Sequence, residues 1–284
     1  MVNTILITGA TGTIGSELLK QLSSYDTSVR AGSHSNSFKD TPENVVFYDV
    51  DFTQPDTLRK AMQGVDKLFL LTPNTPDAVH MAQNVINEAI DADVAHIVRL
   101  SAYTDPEDSQ NPHRIVEDLI IASGLTYTFL RPGPFMQNFA NFFGHTIRTQ
   151  SALYEPLDDA QVTYIDARDI ARVAARTLIE EGHGNQSYHL TGPEALSDYD
   201  IARILSDVTG RSIQYINISE DDARQSLQNM GMPSPTVEGV LGLYTLMREG
   251  KREQVTNHVA DITGQPATNF ETFVRDHIEA FLPE

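Results

Sequence analysis

Thr4-Ile5-Leu6-Ile7-Thr8-Gly9-Ala10-Thr11-Gly12-Thr13-Ile14-Gly15 decides how this chain is read. An apolar run of strand length enters three glycines spaced three apart, and residues 16–22 continue at helical spacing. Glycines alone are weak evidence, but a strand before them and a helix after them is the context that a dinucleotide-binding βαβ unit requires. Gly9 permits the tight turn, Gly12 lets backbone approach a pyrophosphate, and Gly15 lets helix and strand pack closely. The exposed N–H groups and the positive helix end favour an anion there. The stretch predicts an NAD(P) site contacted by Gly9, Thr11, Gly12, Thr13, Ile14 and Gly15.

Working outward, β-branched and aliphatic runs alternate with amphipathic helical stretches, the pattern of a parallel sheet covered on both faces. Strands are predicted at 4–8, 28–31, 45–49, 67–71, 96–101 and 126–131, with helices near 14–22, 54–62, 76–92 and 114–123 between them. The second half is less regular. A strand at 161–166, a helix at 167–181 and a strand at 187–190 precede a helix at 198–209, capped by Ser197 and stopped by Gly210. Residues 213–218 read as extended, and the tail from Glu220 as helical with a loop at Pro233 and Pro235. The fold class is α/β: a doubly wound parallel-sheet Rossmann fold with a small α-rich C-terminal substrate lobe. The Rossmann part is placed at 1–134, completed by about 160–190, and the smaller lobe at 135–159 and 191–284.

Composition narrows the function classes. The 284 residues contain no Cys, which excludes disulfides, thiolate zinc sites and cysteine nucleophiles and suits a cytoplasmic protein. A net charge of -19 would repel phosphate backbones, so nucleic acid is a poor partner. No basic leader opens the chain, and no apolar stretch approaches the roughly 20 residues needed to cross a bilayer, so it reads as soluble. The nine His show no metal-ligand spacing, and no Gly-x-Ser-x-Gly elbow is present.

Cofactor choice is expected just past the second strand, in Val29-Arg30-Ala31-Gly32-Ser33-His34-Ser35. No carboxylate stands where an NAD-selective Asp or Glu would hold both ribose hydroxyls. Arg30, Ser33, His34 and Lys39 are candidates to cradle a 2′-phosphate, with Arg30 pointing across the sheet as the alternative, so NADPH is favoured over NADH. Asp51, after the third strand, is a candidate for the adenine end or a surface helix cap.

Longer motifs carry a family likeness. The glycine turn, Leu125-Thr126-Tyr127-Thr128-Phe129-Leu130-Arg131-Pro132-Gly133-Pro134-Phe135-Met136-Gln137-Asn138, Asp166-Ala167-Arg168-Asp169-Ile170-Ala171 and Leu190-Thr191-Gly192-Pro193-Glu194-Ala195-Leu196-Ser197 together resemble the NmrA-like branch of atypical short-chain dehydrogenases/reductases. Similar members include type-2 NAD(P)H:quinone oxidoreductases, triphenylmethane-dye reductases and a redox-sensing regulator. The resemblance implies a Rossmann domain completed by strands near Val162 and Tyr188, with a small lobe closing over the nicotinamide. It also implies that Thr72, Pro73, Ser101, Tyr103, Pro132, Pro134 and Phe135 line the cofactor, at the carboxyl ends of strands where ligands collect.

The usual Tyr-x-x-x-Lys catalytic pair is absent, since no Lys has a Tyr four residues before it. Tyr127 and Arg131 have the spacing but lie on a strand, about 13 Å apart. In its place stands His113 with Glu117 one helical turn on, so a carboxylate could orient an imidazole for proton delivery. A solvent-near helix-start His with a structural Glu117 is the alternative. Phe135, Met136, Asn138 and Phe139, with Tyr103, are candidates for a flat apolar slot, against the alternative that such a stripe is core; Tyr154 is a lesser candidate. The expectation is an NAD(P)H-dependent reductase of a small quinone-like or other conjugated aromatic acceptor, monomeric or homodimeric. A non-catalytic NAD(P)-binding redox sensor acting through a protein partner is the rival.

Overall fold

The computed structural model describes residues 3–34, 43–103 and 108–283. Its strands are β1 (Thr4–Thr8), β2 (Ser28–Ser33), β3 (Val45–Asp49), β4 (Lys67–Leu70), β5 (His96–Leu100), β6 (Thr126–Pro132), β7 (Ala152–Glu155), β8 (Gln186–Leu190) and β9 (Gln214–Asn217). Its helices are α1 (Thr13–Leu22), α2 (Pro55–Met62), α3 (Ala78–Asp91), α4 (Pro112–Ser123), α5 (Gly144–Gln150), α6 (Ala167–Ile179), α7 (Asp198–Thr209), α8 (Glu220–Asn229), α9 (Ser234–Arg248), α10 (His258–Thr263) and α11 (Phe270–Asp276).

The chain divides into two compact units. The first comprises Met1–Pro132, Ala167–Leu190 and His258–Gln265. It holds a seven-stranded parallel sheet in the order β3-β2-β1-β4-β5-β6-β8. The order reverses between β1 and β4, the switch point of a doubly wound sheet, where a ligand crevice opens at the strands' carboxyl ends. One sheet face packs Leu6, Leu68, Ile97 and Phe129 against Leu58, Val85, Val116 and Ile120 of α2, α3 and α4. The α/β Rossmann reading is therefore correct. The unit also takes α10 from the tail, where the sequence had assigned all of 191–284 to the smaller lobe.

The second unit comprises Gly133–Asp166, Thr191–Asn257 and Pro266–Glu284. It contains the two-stranded parallel sheet of β7 and β9, and its helices bury Leu153, Tyr164, Ile201, Leu241, Phe270 and Phe273 in one core. Helix α7 begins and ends where its signals placed it: Ser197 and Asp200 form a reciprocal capping box, and Gly210 stops it at φ 69.

Two further expectations fail. The strand at 161–166 is absent; those residues make only single bridges, Val162 to Leu196 and Ile165 to Phe135, and β8 alone completes the large sheet beyond β6. Pro235 sits in the first turn of α9, where its missing N–H costs nothing, so the loop ends before it. Among the described residues no helix is long and apolar enough to cross a membrane, and no cluster of His, Asp or Glu suits a metal.

Candidate functional site

The glycine turn is shaped by contacts that leave no room for side chains. Gly9 adopts φ +65, which an L side chain rarely tolerates, and its carbonyl accepts from the Gly12 N–H at 3.0 Å. A Cβ on Gly15 would lie 2.2 Å from the Gly9 carbonyl oxygen, so α1 meets the end of β1 backbone to backbone. The turn is tied on both sides: the Ala10 N–H donates to the Gly32 carbonyl of β2, and the Leu71 N–H beyond β4 donates to the Thr8 hydroxyl at 2.9 Å. No side chain caps α1, whose first amides have no intrahelical acceptor. A backbone cradle with a positive helix end is thus presented at the switch point.

Beside this turn opens a cleft of about 610 Å³. Gly9, Thr11, Gly12, Ser33, His34, Asp51, Thr72 and Pro73 of the sequence-derived set line it, together with Gly32, Val50, Phe52, Leu71 and Met81, which sequence reasoning missed. The missed residues are chain neighbours of the expected ones at strand ends, apart from Met81, which α3 supplies. The Thr11 and Ser33 hydroxyls pair at 3.1 Å. His34 is exposed, with Nδ1 3.6 Å from the Asp49 carboxylate. Asp51 accepts from the Thr53 hydroxyl and N–H and from Gln54, and the Thr53 bonds hold its carboxyl below the usual range. It is a loop anchor that also borders the cleft.

Arg30 is a correction. Its guanidinium donates to the Ala61 carbonyl at 2.7 Å and lies over the Tyr48 ring, so it is occupied across the sheet and does not line the cleft. Lys39 and Ser35 lie outside the described residues. Ile14 is buried in the first unit's core, which leaves its backbone as the part able to face a ligand.

At the ends of β5 and β6 a second polar group assembles. Ser101 follows β5, its N–H donating to the Leu130 carbonyl at 2.8 Å, and Tyr103 stacks on His189 of β8 with ring centroids 4.1 Å apart. His113 opens α4 behind the cap Asn111. The expected His113–Glu117 pairing does not form: Glu117 is bound at both oxygens by Arg131, at 2.9 and 2.5 Å, and the His113 Nδ1 is buried with no hydrogen-bond partner. Burial, reinforced by nearby Arg99, pushes the imidazole down to about 4, so it is neutral at neutral pH. Arg99, for which the sequence suggested no role, is 1% exposed in β5, and burial lowers it to about 10.

The aromatic stripe after β6 divides. Met136 and Phe139, each 1% exposed, belong to the second unit's core, where Phe139 packs edge-on against Tyr164 and Phe270; they are core and not a substrate slot. Phe135 and Asn138 stay half-buried, Pro132 is buried and Pro134 half-buried. The Pro134 carbonyl accepts from the Ile165 N–H at 2.9 Å. Tyr154 spends its hydroxyl on Gln150.

The model of the NmrA-like family matches residues 1–273. The chain belongs to the NmrA-like family. It is 36% identical over 290 residues to an NAD(P)H azoreductase of Xenophilus azovorans, covering 98% of this chain and 99% of that one. It is 31% identical to a (4-alkanoyl-5-oxo-2,5-dihydrofuran-3-yl)methyl phosphate reductase of Streptomyces griseus, covering 99% and 100%. Among solved structures it resembles the Citrobacter sp. triphenylmethane reductase complexed with NADP(H), with a TM-score of 0.83, 26% identity and coverage of 96% and 99%.

Proposed function

We propose that this NmrA-like protein is an NADPH-dependent reductase that passes a hydride to a conjugated aromatic or quinone-like acceptor. The observation that carries the reading is the glycine turn, where a Cβ at Gly15 would strike the Gly9 carbonyl and α1 presents an uncapped end. Those residues fit a dinucleotide: the amides after Gly12 would hold the pyrophosphate, while Thr11, Ser33, His34 and Asp51 would hold the adenosine end. When bound, the reduced nicotinamide supplies two electrons and a hydrogen as hydride from its C4 carbon. The acceptor takes both, and its remaining proton comes from water.

Preference for the 2′-phosphorylated cofactor rests on the end of β2, where Ser33 and His34 stand in place of a carboxylate. Within the first unit we extend the cofactor set to Thr13, Ile14, Thr72, Pro73 and Pro132, and assign the acceptor to Tyr103. The relatives support the reaction class, because an azoreductase and a triphenylmethane reductase are named for conjugated acceptors and NAD(P)H. A neutral His113 is a poor acid, so binding geometry and orientation carry the rate. Titration with NADPH and NADH followed by a panel of quinones and dyes tests the proposal. Acceptor-dependent loss of NADPH supports it; tight binding that no acceptor discharges replaces it with the sensor reading.

A further inference from the structure

Buried charge in the first unit does not balance at one place. Strand alternation puts Ile97, Arg99 and Ser101 on one face of β5, and Ile97 packs there with Val116 and Ile120 of α4 and Phe129 of β6. Phe129 is the register partner of Arg99, so Arg131, two residues further along β6, shares that face. Helix α4 brings Glu117 and His113 to the same place. Among the described residues, two guanidiniums therefore meet one buried carboxylate, and Glu117 spends both its oxygens on Arg131.

What remains is a set of buried polar atoms without partners, all of them able to donate when His113 carries its proton on Nδ1. The Arg99 Nε and Nη1, the Ser101 hydroxyl and the His113 Nδ1 are all buried without a hydrogen-bond partner. Arg99 and Ser101 are 1% and 4% exposed. Arg99 stays charged at neutral pH although burial lowers it, and it is close enough to His113 to depress the imidazole. A buried donor left unpaired forfeits the hydrogen bond it had with water, and a buried unpaired cation forfeits more. Such a group calls for an explanation, and a bound ion is one that answers both the missing bonds and the charge. The ligand that fits a surplus positive charge and a fork of donors is an oxyanion.

We infer that Arg99, Ser101 and His113 form an anion-binding site at the carboxyl end of β5, which takes a carboxylate, sulfonate or phosphate substituent of the acceptor. The assignment to the acceptor rests on the reductase reading, since strand carboxyl ends are where this fold gathers its ligands. A chain of net charge -19 repels anionic molecules in general, so a specific cationic site is what would let it select one.

Sulfate is the probe. Thermal stability of the protein saturated with NADP⁺, which keeps the glycine turn filled, is measured against sulfate and against chloride at equal ionic strength. Arg99→Met and Ser101→Ala follow the same protocol; Ser101→Ala removes one unpaired hydroxyl and carries the test if Arg99→Met does not fold. Sulfate-specific stabilisation weakened tenfold or more in either variant supports the site, and its absence, or an unchanged response in the variants, overturns it. A second arm uses two triarylmethane acceptors that differ by one sulfonate. Competition by sulfate against the sulfonated acceptor alone supports the assignment to the acceptor, whereas sulfate binding without competition overturns that assignment. If no acceptor is reduced, the reductase reading fails while the stability arm still judges the site.

Discussion

Two buried polar clusters of opposite sign show how differently this protein handles charge. In the first unit, Arg99 is a cation beyond what Glu117 can neutralise. In the second, Glu155 at the end of β7 and Asp198 at the start of α7 are both buried, with the second Glu155 oxygen lacking a hydrogen-bond partner and the Tyr164 hydroxyl set against Asp198. Tyr244 pairs with Glu155, and Tyr215 donates to the Glu155 carbonyl at 2.9 Å. Burial, with Asp198 adding to it, raises Glu155 well above the usual carboxylate range, and burial pushes Asp198 up to about 7. A carboxylate can take up a proton and become neutral, while an arginine at about 10 keeps its charge throughout the physiological range. The anionic cluster therefore resolves itself with protons, and the cationic one needs a counter-anion. That contrast separates a structural cluster from a candidate binding site.

The largest effect should come from removing Glu117, the one carboxylate among the described residues that serves the cationic cluster. Glu117→Gln leaves Arg131 and Arg99 without a counter-charge and is expected to cost about 3–5 kcal/mol in urea unfolding, as for other broken buried pairs. An unchanged unfolding midpoint would mean the cluster is already wet and balanced. The anionic cluster should respond to pH with the opposite remedy. Because the folded pKa of Asp198 lies above its unfolded value of 3.8, the folded state holds a proton that the unfolded chain releases. The Asp198 contribution to stability should therefore fall as pH rises from about 4 to about 7, by at most about 1.4 kcal/mol per pH unit for its one proton, and change no further above that range. Asp198→Asn should flatten that fall; a wild-type profile that is already flat would show that both carboxylates ionise without cost.

Smaller effects sharpen the contrast at the site itself. With its imidazole near 4, His113 should give kcat/KM no limb around 6.5, and the profile should be level across about pH 6 to 8. A limb there that His113→Gln removes would restore the acid role. Ser33→Asp places a carboxylate at the end of β2, where Ser33 and His34 now stand, and should shift preference from NADPH toward NADH by about tenfold, or about 1.4 kcal/mol. An unchanged NADPH-to-NADH ratio would relocate cofactor choice away from that strand end.

Much of this was legible in sequence where the signal is local. Gly9 to Gly15, the capping Ser197 and the stop at Gly210 act through backbone within a few residues, and each lies where its chemistry placed it. The Gln161-Val162-Thr163-Tyr164-Ile165-Asp166 stretch misled because alternation records burial of alternate residues, and here that burial comes from single bridges and core packing instead of a ladder. Met136 and Phe139 have the spacing of a slot and of a core alike, and only their packing against Tyr164 and Phe270 decides between them. Arg99 carried a signal that was overlooked: a lone charge inside His96-Ile97-Val98-Arg99-Leu100, a strand buried along its length. Glu155 and Asp198 gave none, since their meeting depends on β7 and α7, which are far apart in sequence.

The reductase reading is tested most directly by tracing the hydride. NADPH carrying deuterium at C4 is mixed with the protein and a sulfonated triarylmethane dye, whose central carbon retains what it receives, and the reduced dye is examined by mass spectrometry. Deuterium from one face of C4 on that carbon is the expected result. NADPH that stays bound and unoxidised with every acceptor offered, or a reduced dye without the label, would contradict direct hydride transfer by this protein.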